Sequence, residues 1–180
     1  MIRRSPWRHP LLLLTLAGAL LGPAMATAAS AIRAADLPFV DSDNQPRSLG
    51  QWPGSLLVVN LWTSWCPACV AEMASLQQLQ QQFNPADLRV VTLNQDLPQS
   101  APVRALLDRY GAGQLPAFRD PGSRLGLMLG QTLLPTTLII GTDGRLLEQL
   151  TGPLPWDSPE AVAQLQRYID QPPTADRTPL

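Results

Sequence analysis

Apolar positions along this chain change period several times, and each change marks an element. Residues 11–21 form a short apolar stretch behind Arg3, Arg4 and Arg8. Residues 37–52 set short apolar pieces around the polar group Asp41-Ser42-Asp43-Asn44, which predicts a hairpin. Leu56-Leu57-Val58-Val59-Asn60-Leu61 is nearly continuous in apolar residues and too short for a helix, as expected of a central strand buried on both faces. From Cys66 onward the period becomes helical. Cys69, Glu72, Leu76, Leu79 and Phe83 recur at three- and four-residue steps and share one face, which leaves the glutamines of 77–82 as a solvated helix surface.

A strand at 88–93, a helix at 101–110, a short strand near Ala117-Phe118 and a helical turn at 123–129 follow. Pro135 then introduces a strand at 136–140, and Thr142-Asp143-Gly144 turns it into a partner at 146–150. Ser158-Pro159-Glu160 announces the last helix, with serine as N-cap and proline at the first helical position, and Val162, Leu165 and Ile169 give it an apolar stripe. The order predicts an α/β domain over residues 37–171, a central mixed sheet flanked by helices and preceded by an N-terminal β-hairpin. Residues 30–36 read as a linker and 172–180 as a flexible tail. No internal repeat is evident.

The positive start, the apolar stretch and the small residues that follow it make 1–29 an export signal, with Ala24-Met25-Ala26 and Ala26-Thr27-Ala28 fitting the cleavage pattern. The alternative is an uncleaved anchor, and both place the domain outside the cytoplasm, soluble or tethered. Ser5-Pro6-Trp7 after Arg3-Arg4 is a poor twin-arginine context, so a general secretory route is expected. Of the 180 residues about 150 remain after this segment, enough for one domain with its own core. That remainder holds ten arginines against fourteen acidic residues, a formal charge of −4, which argues against nucleic acid as a partner.

The sole histidine, His9, lies in the signal. The domain therefore has no imidazole for metal ligation or for acid/base work near neutral pH, and no metal or other cofactor is expected. Only two cysteines exist, in Trp65-Cys66-Pro67-Ala68-Cys69 between the strand and the helix. A bridge across so short a loop removes little unfolded-chain entropy, so its use is chemical rather than structural. With Cys66 as N-cap and Pro67 at the first helical position, the N–H groups of Ala68 and Cys69 and the positive helix end favour a Cys66 thiolate. Cys66 is the candidate attacking residue and Cys69, a turn further in, the candidate resolving thiol. Glu72 lies three residues on, on the same face as Leu76 and Leu79. Burial there should raise its pKa and fit it to accept the Cys69 proton; the competing reading is a solvent-facing acid that stabilises the helix dipole. Pro135 is tolerated at a strand entry in either isomer, and a cis Leu134-Pro135 bond would expose backbone groups able to pair with an extended substrate.

Two segments resemble the thioredoxin superfamily, and within it the extracytoplasmic TlpA/ResA/CcmG-like branch. Asn60-Leu61-Trp62-Thr63-Ser64-Trp65-Cys66-Pro67-Ala68-Cys69-Val70-Ala71-Glu72-Met73 is similar to that branch's cysteine segment, and Leu133-Leu134-Pro135-Thr136-Thr137-Leu138-Ile139-Ile140 with Asp143-Gly144 is similar to its proline segment. The resemblance spans about residues 37–169 and implies a thioredoxin-like fold with a central insertion at 114–134. It implies a redox disulfide between Cys66 and Cys69, a cis-Pro135 beside it, and Glu72 as the acidic residue next to the site. Trp65, Pro67, Leu134 and Pro135 are then the residues that meet substrate. It further implies a thiol:disulfide oxidoreductase that reduces disulfides of exported proteins, for example in cytochrome c maturation, with electrons from a DsbD/CcdA-type membrane donor.

Three positions depart from the pattern. Asn60 stands where classical thioredoxins carry a buried aspartate, which leaves the proton route to Glu72. Pro67-Ala68 reverses the usual placement of proline between the cysteines, and the regained Ala68 N–H should stabilise the Cys66 thiolate, so the direction of electron flow stays open. Val70 replaces a basic residue. The alternatives are a disulfide-forming or isomerising enzyme on the same fold, or a Cu(I)-binding or redox-sensing module using the two thiols. An isomerase would gain from dimerisation, but no dimerisation segment is visible and a monomer is expected. Peroxidase chemistry fits less well, since Thr63 precedes Cys66 as in peroxiredoxins but Val59 replaces their proline.

Overall fold

The computed structural model describes Arg33 and residues 37–97, 102–130 and 133–170. The expected signal at 1–29, the tail at 172–180 and most of the linker at 30–36 lie outside the described residues. Arg33 is the exception, and it forms an isolated antiparallel bridge with Arg145.

A seven-stranded sheet organises the chain. Its strands are β1 (Pro38–Val40), β2 (Pro46–Ser48), β3 (Leu56–Trp62), β4 (Leu88–Asn94), β5 (Phe118–Arg119), β6 (Thr136–Ile140) and β7 (Leu146–Thr151), in the spatial order β2-β1-β5-β4-β3-β6-β7. β3 runs parallel to β4 and β4 to β5, whereas β6 is antiparallel to β3 and β7 to β6. Parallel β3 and β4 require a crossover, and α1 (Pro67–Gln82) provides it. The other helices are α2 (Val103–Arg109), α3 (Arg124–Met128) and α4 (Pro159–Asp170). The expected mixed sheet, N-terminal hairpin and thioredoxin-like order are all present.

Strand periodicity divides the core in two. Leu56, Val58 and Trp62 of β3 face Met73, Leu76 and Leu79 of α1, together with Leu107 of α2 and Leu165 of α4. Leu57, Val59 and Leu61 point the other way, toward Leu37, Phe39, Leu49 and Leu125. All seven β3 residues are buried, which explains the unbroken apolar run. Each fully buried leucine contributes on the order of 1.5–3 kcal/mol relative to exposure. On the α1 side one rung is polar: Asn60 is the register partner of Thr92 on β4 and of Thr137 on β6, and all three are buried.

One expectation is corrected. Gln80 is not part of a solvated surface: its Nε2 donates to the Leu88 carbonyl at 3.1 Å and its Oε1 accepts from the Val90 amide at 2.8 Å. β5 pairs with β4 only at Leu93 and Asn94, so among the described residues the earlier outer edge of β4 has no strand beside it and takes a side-chain amide instead. Gln77 and Gln81 likewise bond Gln114, while Gln78 and Gln82 are exposed as expected.

Candidate active site

The loop from β3 into α1 is fixed before it reaches the cysteines. Gln95 N–H donates to the Trp62 carbonyl at 2.8 Å, and Ser64 N–H donates to both oxygens of Asp96, at 2.9 and 3.2 Å. Asp96 is buried and is itself held by Asn94, whose Nδ2 donates to it at 3.1 Å while Asn94 Oδ1 accepts the Asp96 N–H at 3.1 Å. A carboxylate thus replaces the strand partner that Ser64 lacks. Asp96 has only a faint signal in the sequence, an acidic residue two positions after the buried strand end at Asn94, and periodicity does not single it out.

Cys66 is the N-cap of α1 with non-helical backbone angles (φ −93°, ψ 104°), and Pro67 occupies the first helical turn. The Cys66 sulfur accepts the Cys69 N–H at 3.2 Å, the third helical residue and the ordinary partner of an N-cap side chain. Cys66 and Cys69 form a disulfide, with Cα atoms 5.3 Å apart. Cys66 is 7% exposed and Cys69 fully buried, an asymmetry that suits an outer attacking sulfur and an inner resolving one.

Glu72 is only 2% exposed, which rules out a solvent-facing acid. Its Oε1 accepts from Asn60 Nδ2 at 2.8 Å, and its Oε2 accepts from the Leu154 N–H at 3.2 Å and from Trp156 Nε1 at 2.9 Å. Burial pushes its pKa up, and the three donors, Trp156 first, pull it down; the net direction is upward. Asn60 also donates to Thr137 Oγ1 at 2.9 Å. The polar rung of the sheet therefore supports the carboxylate. Trp156 and Leu154 escaped the sequence reading, although an aromatic residue inside Pro153-Leu154-Pro155-Trp156 is an unusual occupant of a turn. Both also line a cavity of about 210 Å³ between α4 and β7.

The Leu134-Pro135 peptide is cis, and Pro135 is buried with its carbonyl accepting the Gly152 N–H at 2.9 Å. Leu134 packs against both halves of the core, including the one that contains Cys66 and Cys69. Trp65 and Leu133 are 72% and 63% exposed. Among the described residues the exposed large hydrophobics are Trp65, Leu97, Leu127, Met128, Leu133 and Leu154. All six belong to segments that leave or enter the sheet at the end where β3 and β4 finish and β6 begins. No described helix is long and apolar enough to cross a membrane.

The family model for Redoxin matches residues 25–165. This chain belongs to the Redoxin family. It is 31% identical over 124 residues to the thiol:disulfide interchange protein HelX of Rhodobacter capsulatus, covering 68% of this chain and 63% of HelX. It is 30% identical over 119 residues to the thiol:disulfide interchange protein DsbE of Allochromatium vinosum, covering 66% of this chain and 63% of that protein. The thiol-disulfide oxidoreductase ResA of Bacillus thuringiensis is 26% identical over 129 residues, with 72% of this chain and 70% of ResA covered. The match thus spans somewhat under two thirds of HelX and DsbE. The crystal structure of a thiol:disulfide interchange protein DsbE from Chlorobium tepidum superposes with a TM-score of 0.65 at 24% identity, covering 77% of this chain and 96% of that one. The fold of this Redoxin chain is thioredoxin-like.

Proposed function

We propose that the protein is an extracytoplasmic thiol:disulfide oxidoreductase that reduces disulfides of exported proteins. The observation that carries this reading is the Cys66–Cys69 pair at the start of α1, its outer sulfur capping the helix and its inner sulfur buried one turn before the buried Glu72. The names of HelX, DsbE and ResA support it.

In the reduced protein the Cys66 thiolate attacks a substrate disulfide, forming a mixed disulfide and releasing one substrate thiolate. Glu72 takes the proton from Cys69, whose thiolate then attacks the Cys66 sulfur. The mixed disulfide breaks, the second substrate thiolate leaves, and Cys66–Cys69 is oxidised as the substrate is reduced. Trp65, Pro67, Leu134 and Pro135 border the entry, and the exposed apolar residues at this end of the sheet suit an extended polypeptide. A DsbD/CcdA-type membrane protein would return the electrons, and cytochrome c maturation is the process we favour. Residues 1–29 would deliver the domain, which we take to act as a monomer and without nucleic acid.

A redox titration of the Cys66/Cys69 pair together with turnover of a model disulfide tests the reading. A reductase poises well below the DsbA value of about −120 mV; a potential near it overturns the direction. The second reading, a disulfide-forming enzyme, is favoured by the helix start itself: the Cys66 sulfur accepts the Cys69 N–H at 3.2 Å, a donor that stabilises a thiolate and hence the reduced form.

A further inference from the structure

Three donors converge on the Glu72 carboxylate, and they are divided unequally between its oxygens. An ionised carboxylate offers about four lone-pair sites. Oε2 takes two donors, the Leu154 N–H and Trp156 Nε1, whereas Oε1 takes one, Asn60 Nδ2. A backbone N–H and an indole N–H can only donate. A proton arriving on Oε2 would therefore displace one of them and strand a buried donor, at the cost of its desolvation. Among the described residues Oε1 keeps a free site, and the buried Asn60 Oδ1, which has no partner among them, puts an acceptor on the same amide that holds it.

We propose that Trp156 is a positioning residue for the proton acceptor: with the Leu154 amide it fills Oε2 of Glu72 and leaves Oε1, the oxygen held by Asn60, as the atom that receives the Cys69 proton. In that step the Cys69 S–H bond breaks, an O–H bond forms on Glu72 Oε1, and the Cys69 electron pair is free to attack Cys66. This rests on the reading of Glu72 as acceptor given above. The Trp156 hydrogen bond also stabilises the anion, so that a carboxylate buried this deeply is available as a base at all.

The loop that carries Trp156 has an anchor independent of the indole. Trp156 N–H donates to Ser75 Oγ at 3.3 Å, and Ser75 Oγ donates to the Glu72 carbonyl at 2.9 Å. Removing the indole donor therefore leaves the backbone tied to α1. The electrostatic surroundings are sparse. Cys69 is the sole other titratable side chain on α1, and β3 and β6 have none. Glu148 on β7 is engaged by Gln164 and by the Tyr168 hydroxyl, and Asp157 and Glu160 are exposed.

Two variants test the proposal, Trp156→Phe and replacement of Trp156 by benzothienylalanine, which keeps the bicyclic shape and puts sulfur in place of N–H. The readouts are the pH titration of the Glu72 carboxyl carbon by NMR and the pH profile of single-turnover release from a Cys66 mixed disulfide. Loss of a donor to a charged group disfavours the anion by a factor of roughly 10 or more. The stronger base recovers part of this, so at pH below the Glu72 pKa release should slow about 3-fold to 10-fold, with both titration and profile moved upward. If benzothienylalanine leaves the Glu72 titration in place, Trp156 does not position the carboxylate and the proposal is overturned while Glu72 can still be the acceptor. If the titration moves but the release profile does not, and Glu72→Gln leaves release unchanged as well, the acceptor reading fails and the proposal falls with it.

Discussion

Asn60 Nδ2 donates to Glu72 Oε1 at 2.8 Å, so a side chain on the central strand holds the carboxylate of the helix that starts at the cysteines. The same amide group donates to Thr137 on β6 at 2.9 Å. Where a second acid at residue 60 would set two carboxylates against each other, an amide supplies a donor. The departure from the thioredoxin pattern at this position is therefore compatible with a single buried base rather than a missing one.

The pH dependence of stability follows from Glu72. Burial is the largest influence and raises its pKa above the ordinary 4.5, against hydrogen bonds from Trp156, Asn60 and Leu154. A raised value means that the fold favours the neutral acid. That contribution is fully present below the unfolded carboxylate range and is lost as pH rises through the folded value. The wild type should lose stability relative to Glu72→Gln as pH rises above the unfolded value of 4.5. Urea melts of both proteins at acid and neutral pH measure the gap, and a gap independent of pH would contradict the assignment.

The two cysteines should behave differently when removed singly. Cys69→Ser is expected to accumulate mixed disulfides through Cys66, because the resolving sulfur is gone while the outer, attacking one stays reactive. Cys66→Ser should accumulate none, since Cys69 is fully buried. Non-reducing electrophoresis after incubation with a disulfide-bonded substrate distinguishes them; equal trapping by both variants would reverse the proposed roles.

Gln80→Ala should destabilise the protein by about 1–3 kcal/mol, because the Leu88 carbonyl and the Val90 N–H lose their side-chain partner on the open edge of β4. Hydrogen exchange gives the local signature. The Val90 amide should exchange faster in the variant, with Val59 and Leu61 on β3 unchanged unless the whole sheet loosens.

Asp96→Ala should free the loop before the disulfide. Ser64 N–H is then left without its carboxylate partner, at a cost of about 1–3 kcal/mol. Faster Ser64 amide exchange together with slower reaction of Cys66 toward a model disulfide is the expected pair of results. Unchanged Ser64 exchange would show that Asp96 does not hold the loop.

Much of the scaffold was legible because its signals are local. The apolar run of β3, the Ser158-Pro159 helix start and the Asp143-Gly144 turn each rest on neighbours in sequence, and each stands where the pattern put it: Ser158 Oγ accepts the Ala161 N–H at 3.2 Å, and Gly144 turns with φ 80°. The glutamine stretch was misjudged for the converse reason. Helical spacing records which residues are apolar, and it carries no information that a strand edge across the fold needs a donor and an acceptor from Gln80.

What the sequence by itself determined was the chemistry: two cysteines at a helix start, no imidazole in the domain, and an acid one turn after the inner sulfur. These follow from residue identity and from spacings of three or four, which a helix converts directly into position. What only the tertiary structure decided was the state of that acid. Glu72 is buried, held by a side chain 12 residues earlier and by donors 82 and 84 residues later. Proton affinity depends on desolvation and on the donors that surround a group, and both are set by packing between segments that local sequence patterns do not connect.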